Sequence, residues 1–362
     1  MPRILNIIGT RPEILKMAPV VNALQKNKSF EVGVLLTAQH RDLLDQMSQH
    51  FNLPIVKDLN LMTTNQTLST LSSKMLEQLS SFYSEYKPDM VIAQGDTTTT
   101  FISSLACFYA QIPFGYVESG LRSGNFQRPF PEEMNRQFTS KIAALNFAPT
   151  ELSKQNLLND DIDPSTIFVT GNTIIDSLLD FAAENTPPLI KSTNKTILVT
   201  CHRRENFPHI RDIFDALKTI INNHHDVEII YPVHPNPNVK IPAYEILKHD
   251  RIHLTDPLDY PQLVSVMKHA HLVLTDSGGL QEEAPALGKP VLVMRTETER
   301  PEGITAGAAK LVGVDKNNII HAVNELLTNQ KSYQQMTACG SPFGDGKASE
   351  KIAGYVADYF TR

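Results

Sequence analysis

Carboxylate side chains occur in three neighbouring loops of this sequence, two directly after predicted strands and the third at the start of a predicted helix. Asp96 lies in a threonine-rich loop, Glu118 follows the next apolar run, and Glu132 opens a helical pattern. Carboxylates that share a cleft shift one another's pKa values, so that one can donate a proton while another accepts one. Acidic residues are also favoured at helix starts for electrostatic reasons alone, so Asp96 and Glu132 could instead be helix caps or first-turn acids.

Cations at the end of the first predicted strand indicate an anionic ligand. Arg11 lies inside the run Gly-Thr-Arg-Pro-Glu at residues 9–13, and Lys16 lies three residues after this run. Both are close to the start of a predicted helix. A helix N-terminus with two added cations suits a diphosphate, although either side chain could simply be solvated. Arginine and proline occupy positions where the dinucleotide fingerprint G-x-G-x-x-G needs glycine, so the sequence argues against nicotinamide chemistry.

The second half of the chain offers a further candidate phosphate site. Ser277, Gly278 and Gly279 would bring backbone N–H groups to a helix start, as phosphate binding requires. Glu283 follows about one turn later, where its carboxylate could accept the hydroxyls of a ribose or could be an ordinary surface group. His202 comes directly after an apolar run and could be a proton shuttle, a phosphate donor or a structural histidine.

Metal and disulfide chemistry are not indicated by the sequence. We find no set with the spacing of H-E-x-x-H or of paired C-x-x-C, so we expect neither a metal nor another cofactor. The three cysteines, Cys107, Cys201 and Cys339, are odd in number and widely spaced. This usage argues against a disulfide framework and favours a reducing compartment.

The elements that would position these residues follow a repeating pattern. Short apolar runs alternate with longer helical patterns, which is typical of parallel βαβ construction and predicts an α/β fold. In the helix predicted at 14–26, apolar residues recur at spacings of three and four, so one face is predicted to join the core. The predicted strands are at 3–8, 31–37, 90–94, 113–117 and 145–148, and then at 196–200, 228–233, 252–255, 271–275 and 290–293.

The length of 362 residues favours two domains. A proline-rich break at 185–188 separates the two series of strands, so we predict a boundary between about 170 and 195. The predicted first domain is 1–170 together with a C-terminal helix at about 347–362, and the second domain is 171–346. Because ligands of open parallel sheets bind beyond the carboxyl ends of the strands, we expect a substrate cleft between the halves.

Charge and hydropathy exclude several functional classes. A net charge of −6 and a pI near 6.1 provide no global field that would attract nucleic acid or an acidic membrane. The N-terminus enters an apolar strand without a basic segment or a cleavage site, so we expect no signal peptide and a cytoplasmic location. The longest uncharged stretch, 97–117, contains Thr, Ser, Gln and Pro and predicts a helix and a strand instead of a membrane span.

Taken together, the motifs closely resemble the non-hydrolysing UDP-N-acetylglucosamine 2-epimerases, in the order and approximate spacing that this family uses along the whole chain. The motifs are Gly-Thr-Arg-Pro-Glu at 9–13, Gly-Asp-Thr-Thr at 95–98, Val-Glu-Ser-Gly-Leu-Arg at 117–122, Pro-Glu-Glu at 131–133, His-Arg-Arg-Glu-Asn at 202–206 and Asp-Ser-Gly-Gly-Leu-Gln-Glu-Glu-Ala-Pro at 276–285. Shorter matches at 37–41, 169–172 and 298–302 support the same resemblance.

The resemblance implies a GT-B fold, with two Rossmann-like parallel-sheet domains facing across a cleft, and usually a homodimer. It also implies a carbohydrate isomerase that interconverts UDP-N-acetylglucosamine and UDP-N-acetylmannosamine for bacterial surface polysaccharides. In the family's mechanism the C2 proton is removed while UDP leaves C1, and UDP adds back to a bound 2-acetamidoglucal after reprotonation on the other face. This chemistry needs acid and base groups on both faces of one carbon and the exclusion of water.

The resemblance also implies roles for individual residues. By motif position, Asp96, Glu118 and Glu132 are the acid/base carboxylates, and His202 is a catalytic or phosphate-binding partner. The implied contacts to UDP are Arg11, Lys16, Ser277, Gly278, Gly279, Glu283 and Arg300.

Many bacterial members of the family bind a second, activating UDP-N-acetylglucosamine beside the active site. Gln39 and His234 fit that site, whereas Asp42 and Asn65 replace a longer polar side chain and an arginine. We therefore predict weak or absent activation, which strongly sigmoidal kinetics in UDP-N-acetylmannosamine would contradict.

Four other functions compete with this interpretation. A hydrolysing epimerase would release free N-acetylmannosamine, but its first loop typically lacks the Gly-Thr-Arg-Pro-Glu pattern. An epimerase of a modified sugar, such as a diacetamido uronate, stays open. A GT-B glycosyltransferase would not require three carboxylates in the first domain, and a nucleotide-sugar sensor would have no reason to retain them together with His202.

Overall fold

The computed structural model describes residues 1–37, 51–61, 66–184, 186–190 and 192–361. Contacts divide the chain into two compact units: unit 1 is Met1–Ser177 with Gly344–Arg362, and unit 2 is Leu178–Phe343. Each unit contains a sheet whose strands all pair in parallel within the described residues. This architecture confirms the predicted α/β class with two Rossmann-like parallel sheets of the GT-B type.

Unit 1 contains a seven-stranded sheet in the order β3-β2-β1-β4-β5-β6-β7 within the part of the chain described. Its strands are β1 (Arg3–Ile8), β2 (Glu31–Leu36), β3 (Ile55–Asp58), β4 (Met90–Gln94), β5 (Phe114–Val117), β6 (Leu145–Ala148) and β7 (Ile167–Val169). The connections run to one side from β1 and to the other from β4. These two adjacent strands therefore form the topological switch point, where open α/β sheets bind ligands.

Helices cover this sheet on both faces and bury apolar stripes against it. The first six are α1 (Arg11–Lys26), α2 (Leu68–Tyr86), α3 (Thr98–Ala110), α4 (Glu132–Ile142), α5 (Glu151–Asn159) and α6 (Ile174–Ala183). In α1, Ile14, Met17, Val21 and Leu24 are fully buried, as their helical spacing predicts. The division between the two units falls inside α6.

Unit 2 contains a six-stranded sheet in the order β10-β9-β8-β11-β12-β13 among the residues described. Its strands are β8 (Lys195–Thr200), β9 (Val227–Pro232), β10 (Ile252–Thr255), β11 (Leu272–Thr275), β12 (Val291–Val293) and β13 (Ala309–Leu311). Strands β8 and β11 are adjacent and form the switch point of this sheet. The loops that leave these two strands carry the motifs at 201–206 and 276–285.

The helices of unit 2 surround a second apolar core. They are α7 (Ile210–Asn223), α8 (Pro237–Ile246), α9 (Tyr260–His269), α10 (Gly278–Ala286), α11 (Pro301–Thr305), α12 (Lys316–Thr328) and α13 (Gln330–Thr337). The final helix, α14 (Ala348–Thr361), belongs to unit 1, where Ile352 and Val356 join the same buried cluster as α1. None of the described helices is long and apolar enough to cross a membrane.

All ten predicted strands are present, with bounds that differ by at most one residue at either end. Strands β3, β7 and β13 were not predicted, and each of them lies at the edge of a sheet. They are three or four residues long and include polar or partly exposed positions, so their apolar signal is weak. Cys107 and Cys201 are buried free thiols and Cys339 is an exposed one, in agreement with the absence of a disulfide framework.

Candidate active site

Asp96 is the predicted carboxylate that lies at the switch point of unit 1. Asp96 follows β4, and its Oδ2 accepts hydrogen bonds from Arg136 Nη2 at 2.6 Å and Nε at 3.0 Å. The amide of Asn135 donates to the Asp96 carbonyl at 2.8 Å. Asp96 is not the cap of the helix that follows, because Thr97 accepts from Thr100 N in that role. Helix α4 therefore holds Asp96 in place through two of its side chains.

Glu132 is the first residue of α4 and lines the same cavity as Asp96. The cavity has a volume of about 290 Å³, and Thr97 and Asn135 also line it. Glu132 Oε2 is buried and has no hydrogen-bond partner among the described residues. A buried carboxylate oxygen without a donor is costly to a fold, so such an oxygen beside a cavity indicates a place for a ligand or a transferred proton.

Glu118 follows β5 in a left-handed backbone conformation with φ of 66°. Lys16 Nζ donates to Oε1 at 2.6 Å and to Oε2 at 2.7 Å. Gln94 Nε2 donates to Oε2, and Asn172 Nδ2 donates to Oε1 at 3.1 Å. The structure thus places Lys16, which the resemblance implies as a contact to UDP, against one of the three carboxylates.

Glu13 is a further carboxylate at this switch point; it is buried, and sequence reasoning did not single it out. Its Oε2 accepts from the backbone N–H groups of Gly9 at 2.5 Å and Thr10 at 2.9 Å, and its Oε1 accepts from Thr97 Oγ1 at 2.7 Å. Burial raises the Glu13 pKa to about 7, the three hydrogen bonds oppose that rise, and the nearby charge of Asp96 adds to it. Glu13 therefore joins the loop after β1 to the start of α3, next to Asp96.

The switch point of unit 2 brings His202 and Asp276 together. The Asp276 side chain is completely buried, and its Oδ1 lies 3.2 Å from His202 Nδ1. Its Oδ2 accepts from the backbone N–H groups of His202 and Arg203, both at 2.8 Å, and from Asn206 Nδ2 at 3.1 Å. Burial lowers the His202 pKa; the charge of Asp276 opposes this shift, and Arg203 and His234 add to it.

A cavity of about 230 Å³ in unit 2 is lined by His202, His234, Ser277 and Glu283. The rings of His202 and His234 stack with their centroids 5.8 Å apart. His234, the candidate for an activator site, is therefore a neighbour of His202. The other candidate, Gln39, lies outside the described residues, as do Asp42 and Asn65.

The start of α10 has the features expected of a phosphate site. Ser277 is the N-cap and makes no side-chain cap hydrogen bond, and Gly278 is the first helical residue. A Cβ atom built on Gly278 would lie 3.2 Å from Glu299 Oε1, whereas at Gly279 the nearest atom is Glu283 Oε2 at 3.5 Å. Gly279 is exposed and Gly278 is buried, and the Ser277 N–H donates to Thr275 Oγ1 at 2.9 Å, so the candidate anion donors of this helix start are the N–H groups that follow Ser277.

The two remaining UDP candidates of unit 2 are held by partners that sequence reasoning missed. Glu283 is buried, and its Oε1 accepts from the Tyr260 hydroxyl at 2.6 Å. Arg300 Nε donates to Glu282 Oε1. In unit 1, Arg11 is the first residue of α1 and is partly exposed. Among the described residues, no group of three or more His, Cys, Asp or Glu side chains is arranged to hold a metal ion.

The chain matches the family model described as UDP-N-acetylglucosamine 2-epimerase over residues 22–357, which includes most of both units. The chain belongs to this family. It is 48% identical over 366 residues to the UDP-N-acetylglucosamine 2-epimerase of Escherichia coli strain K12, with 97% of each chain covered. It is 46% identical to the enzyme of the same name from Bacillus subtilis strain 168, with 97% of this chain and 93% of that protein covered.

A solved structure gives the same result for the fold. The UDP-GlcNAc 2-epimerase from Neisseria meningitidis, crystallised with UDP-GlcNAc bound, superposes with a TM-score of 0.89 at 41% identity. The superposition covers 98% of this chain and 100% of that one. These comparisons confirm the prediction from the motifs that the chain is a member of the UDP-N-acetylglucosamine 2-epimerase family.

Proposed function

We propose that this chain interconverts UDP-N-acetylglucosamine and UDP-N-acetylmannosamine by eliminating UDP and adding it back, without hydrolysis. Membership of the epimerase family supports the substrate. The observation that carries the proposed chemistry is the carboxylate set of unit 1, in which Asp96 and Glu132 line one cavity and Glu118 is fixed by Lys16. A nucleotide-binding protein without turnover would have no use for these acids.

The proposed reaction has two halves that conserve all atoms. In the first half, a carboxylate takes the C2 proton, the C2–H electron pair forms the C1=C2 double bond, and the C1–O bond breaks to release UDP. In the second half, an acid returns a proton to C2 from the opposite face and a UDP oxygen bonds again to C1. Both faces of C2 need a positioned proton carrier, and Asp96, Glu118 and Glu132 supply the candidates.

Departure of UDP requires stabilisation of negative charge on the diphosphate. In the proposed complex, the N–H groups at the start of α10 and the side chain of His202 bind the diphosphate, and Arg300 adds positive charge. Preorganised donors of this kind stabilise a developing oxyanion without reorganising at the moment of reaction. Glu283, oriented by Tyr260, is placed to accept the ribose hydroxyls.

We also propose that the chain acts as a homodimer. Helices α3 and α4 of unit 1 carry an aromatic patch, which we define as Phe108, Tyr109 and Phe138. Phe108 is 64% exposed and Phe138 is 49% exposed. The rings of Phe108 and Tyr109 are neighbours with centroids 6.4 Å apart, and exposed aromatic side chains are enriched at protein interfaces.

The function is tested by incubating the protein with UDP-N-acetylglucosamine in deuterated water and following the sugar protons by NMR. The proposal predicts deuterium at C2 and a stable mixture of the gluco and manno UDP-sugars. Accumulation of free N-acetylmannosamine and UDP would instead identify a hydrolysing epimerase, because water would have replaced UDP at C1.

Variants of the carboxylates serve as controls for that experiment. Asp96→Asn and Glu132→Gln keep the side-chain size but remove the proton-carrying group. We expect both to lose deuterium exchange and epimerisation together, while UDP binding measured by calorimetry is retained. If neither variant slows the reaction, Asp96 and Glu132 are not the proton carriers and the proposed roles of these two residues are wrong.

A further inference from the structure

The two oxygens of the Asp276 carboxylate have different surroundings. Oδ2 accepts three hydrogen bonds, from the backbone N–H groups of His202 and Arg203 and from the Asn206 amide. These bonds fix the plane and direction of the carboxylate at the end of β11. They also hold the loop after β8 against it, so the backbone of His202 and the carboxylate form one rigid assembly.

The other oxygen, Oδ1, is buried and has no hydrogen-bond partner among the described residues. The nitrogen that faces it is His202 Nδ1, at 3.2 Å. Leaving a buried carboxylate oxygen without a donor costs free energy, and a hydrogen on the facing Nδ1 supplies a donor that relieves this cost. The buried oxygen therefore selects the imidazole tautomer with the proton on Nδ1.

The Cys201 thiol is the other group beside Asp276 that could donate. Burial raises the Cys201 pKa well above its usual value, and the charge of Asp276 adds to that rise, so the sulfur keeps its proton. A thiol is a weak donor compared with an imidazole N–H, so it does not replace His202 as the partner of Oδ1.

We propose that Asp276 is a positioning residue that holds His202 with Nδ1–H toward its own carboxylate and Nε2 toward the nucleotide cavity, where the protonated ring donates to the leaving diphosphate. This inference rests on the proposed function of the His202 cavity. Nε2 lies on the side of the ring opposite Nδ1, and His202 lines the cavity.

The charge around His202 explains why an anionic partner is needed. The groups that face it are Asp276, Arg203 and His234, with Glu283 lining the same cavity. Burial lowers the His202 pKa, so the ring is mainly neutral near pH 7 before nucleotide binds. The diphosphate charge favours the imidazolium form, which takes up one proton from solvent, and Asp276 supplies the counter-charge on the far side of the ring.

The first test is NMR of the ¹⁵N-labelled full chain, in which the His202 nitrogens are assigned by loss of their signals in His202→Gln. The proposal predicts the Nδ1–H tautomer without ligand and an imidazolium with both nitrogens protonated when UDP is added. An Nε2–H tautomer in the unliganded protein, or a ring that stays neutral in the UDP complex, would overturn the proposal. This measurement needs no turnover, so it is independent of whether the epimerase reaction is correct.

The second test is Asp276→Asn, which retains an oxygen for the backbone N–H groups but presents an NH₂ group to Nδ1. We expect His202 to switch to the Nε2–H tautomer, and kcat to fall at least about 100-fold with a change in KM of less than about tenfold, by analogy with an Asp→Asn change beside a catalytic histidine. A merely structural role would leave the tautomer unchanged. Retention of the Nδ1–H tautomer in this variant would contradict the proposal even if activity falls.

The matched control is Asp315→Asn in the same unit. Asp315 caps α12 by accepting from Asn317 N and Asn318 N, and asparagine caps helices equally well. This variant should keep both the tautomer and the kinetic constants of the parent chain. If Asp276→Asn does not fold, the NMR measurement on the unchanged protein still decides between the outcomes.

Discussion

The ammonium group of Lys16 donates to both carboxylate oxygens of Glu118, at 2.6 and 2.7 Å, and joins positions 102 residues apart. Their side chains are 18% and 5% exposed, so water screens the pair only weakly. Gln94 and Asn172 complete the surroundings of the carboxylate. This relationship places Lys16, a candidate ligand for UDP, in direct contact with one of the three proposed proton carriers.

Breaking this ion pair should destabilise unit 1. We expect Lys16→Met to lower the free energy of unfolding by about 3 kcal/mol, because removing one partner leaves a buried charge without its counter-ion. The double variant Lys16→Met/Glu118→Gln should lose less than the sum of the two single changes, by at least about 1 kcal/mol. Urea denaturation of the four proteins measures this coupling, and strict additivity would show that the pair contributes nothing to stability.

Sequence reasoning could find these residues but not their pairing. Glu118 lies inside a recognisable motif and Lys16 lies just after another one. The ends of the strands that carry these motifs are known to be near each other only once the topology is known. Glu13 and Asp276 are similar cases, because each lies inside a motif and draws its role from contacts with residues 70 or more positions away. A local pattern predicts a helix cap for Glu13; it does not reveal the bond to Thr97.

Glu13 should make the stability of unit 1 depend on pH. Its folded-state pKa of about 7, against 4.5 for an ordinary glutamate, means that the folded chain keeps a proton that the unfolded chain releases. Stability from this group is therefore present below about pH 4.5 and is lost as the pH rises toward about 7, by up to about 3 kcal/mol. Glu13→Gln stays neutral, so its stability relative to the parent chain should increase between pH 5 and pH 8.

The control for Glu13 is Glu77→Gln, which changes an exposed glutamate on α2 of the same unit. Thermal unfolding of the three proteins across this pH range isolates the contribution of Glu13, because shifts shared by all of them cancel in the differences. A constant difference between Glu13→Gln and the parent chain would mean that Glu13 titrates near its ordinary value.

Tyr260 should control ribose recognition through Glu283. Tyr260→Phe removes the hydroxyl that donates to Glu283 Oε1 at 2.6 Å, and it preserves the edge-to-face contact of the ring with Phe181 at 5.2 Å. We expect the dissociation constant of UDP to rise about tenfold, corresponding to about 1.4 kcal/mol, because the carboxylate loses a charge-assisted hydrogen bond that orients it.

Calorimetry with 2′-deoxy-UDP distinguishes this role from general damage to the unit. The deoxy nucleotide lacks one of the two hydroxyls that Glu283 is proposed to accept, so Tyr260→Phe should weaken its binding less than it weakens UDP binding. Equal losses for the two nucleotides would place the effect of Tyr260 outside ribose recognition.

The strands that the sequence did not predict lie at the edges of the sheets. Most of the ten predicted strands are mainly buried runs of apolar residues, which is why their bounds could be predicted closely. Strand β3 reads Ile-Val-Lys-Asp and is exposed along its whole length. An edge strand of this kind forms through its backbone pairing with β2, and a hydropathy pattern contains little information about that pairing.

If the aromatic patch is the dimer interface, a charge placed in it should weaken the dimer. Phe101 and Phe138 meet edge to face with ring centroids 6.1 Å apart, which joins α3 to α4. At the C-terminal ends of these helices, Phe108, Tyr109 and Ile142 line a groove of about 520 Å³. We expect Phe108→Glu to raise the dimer dissociation constant at least about 100-fold, because a charge would be buried where an aromatic ring packs.

Analytical ultracentrifugation across a concentration series measures this change, with Tyr244→Glu as the control. Tyr244 is exposed on α8 of unit 2 and lies outside the patch, so its replacement should leave the sedimentation of the parent chain unchanged. If Phe108→Glu stays dimeric while Tyr244→Glu dissociates, the interface lies on unit 2. A parent chain that sediments as a monomer at micromolar concentration would instead mean that the aromatic patch is not a dimer interface, since one stable enough to function should persist under those conditions.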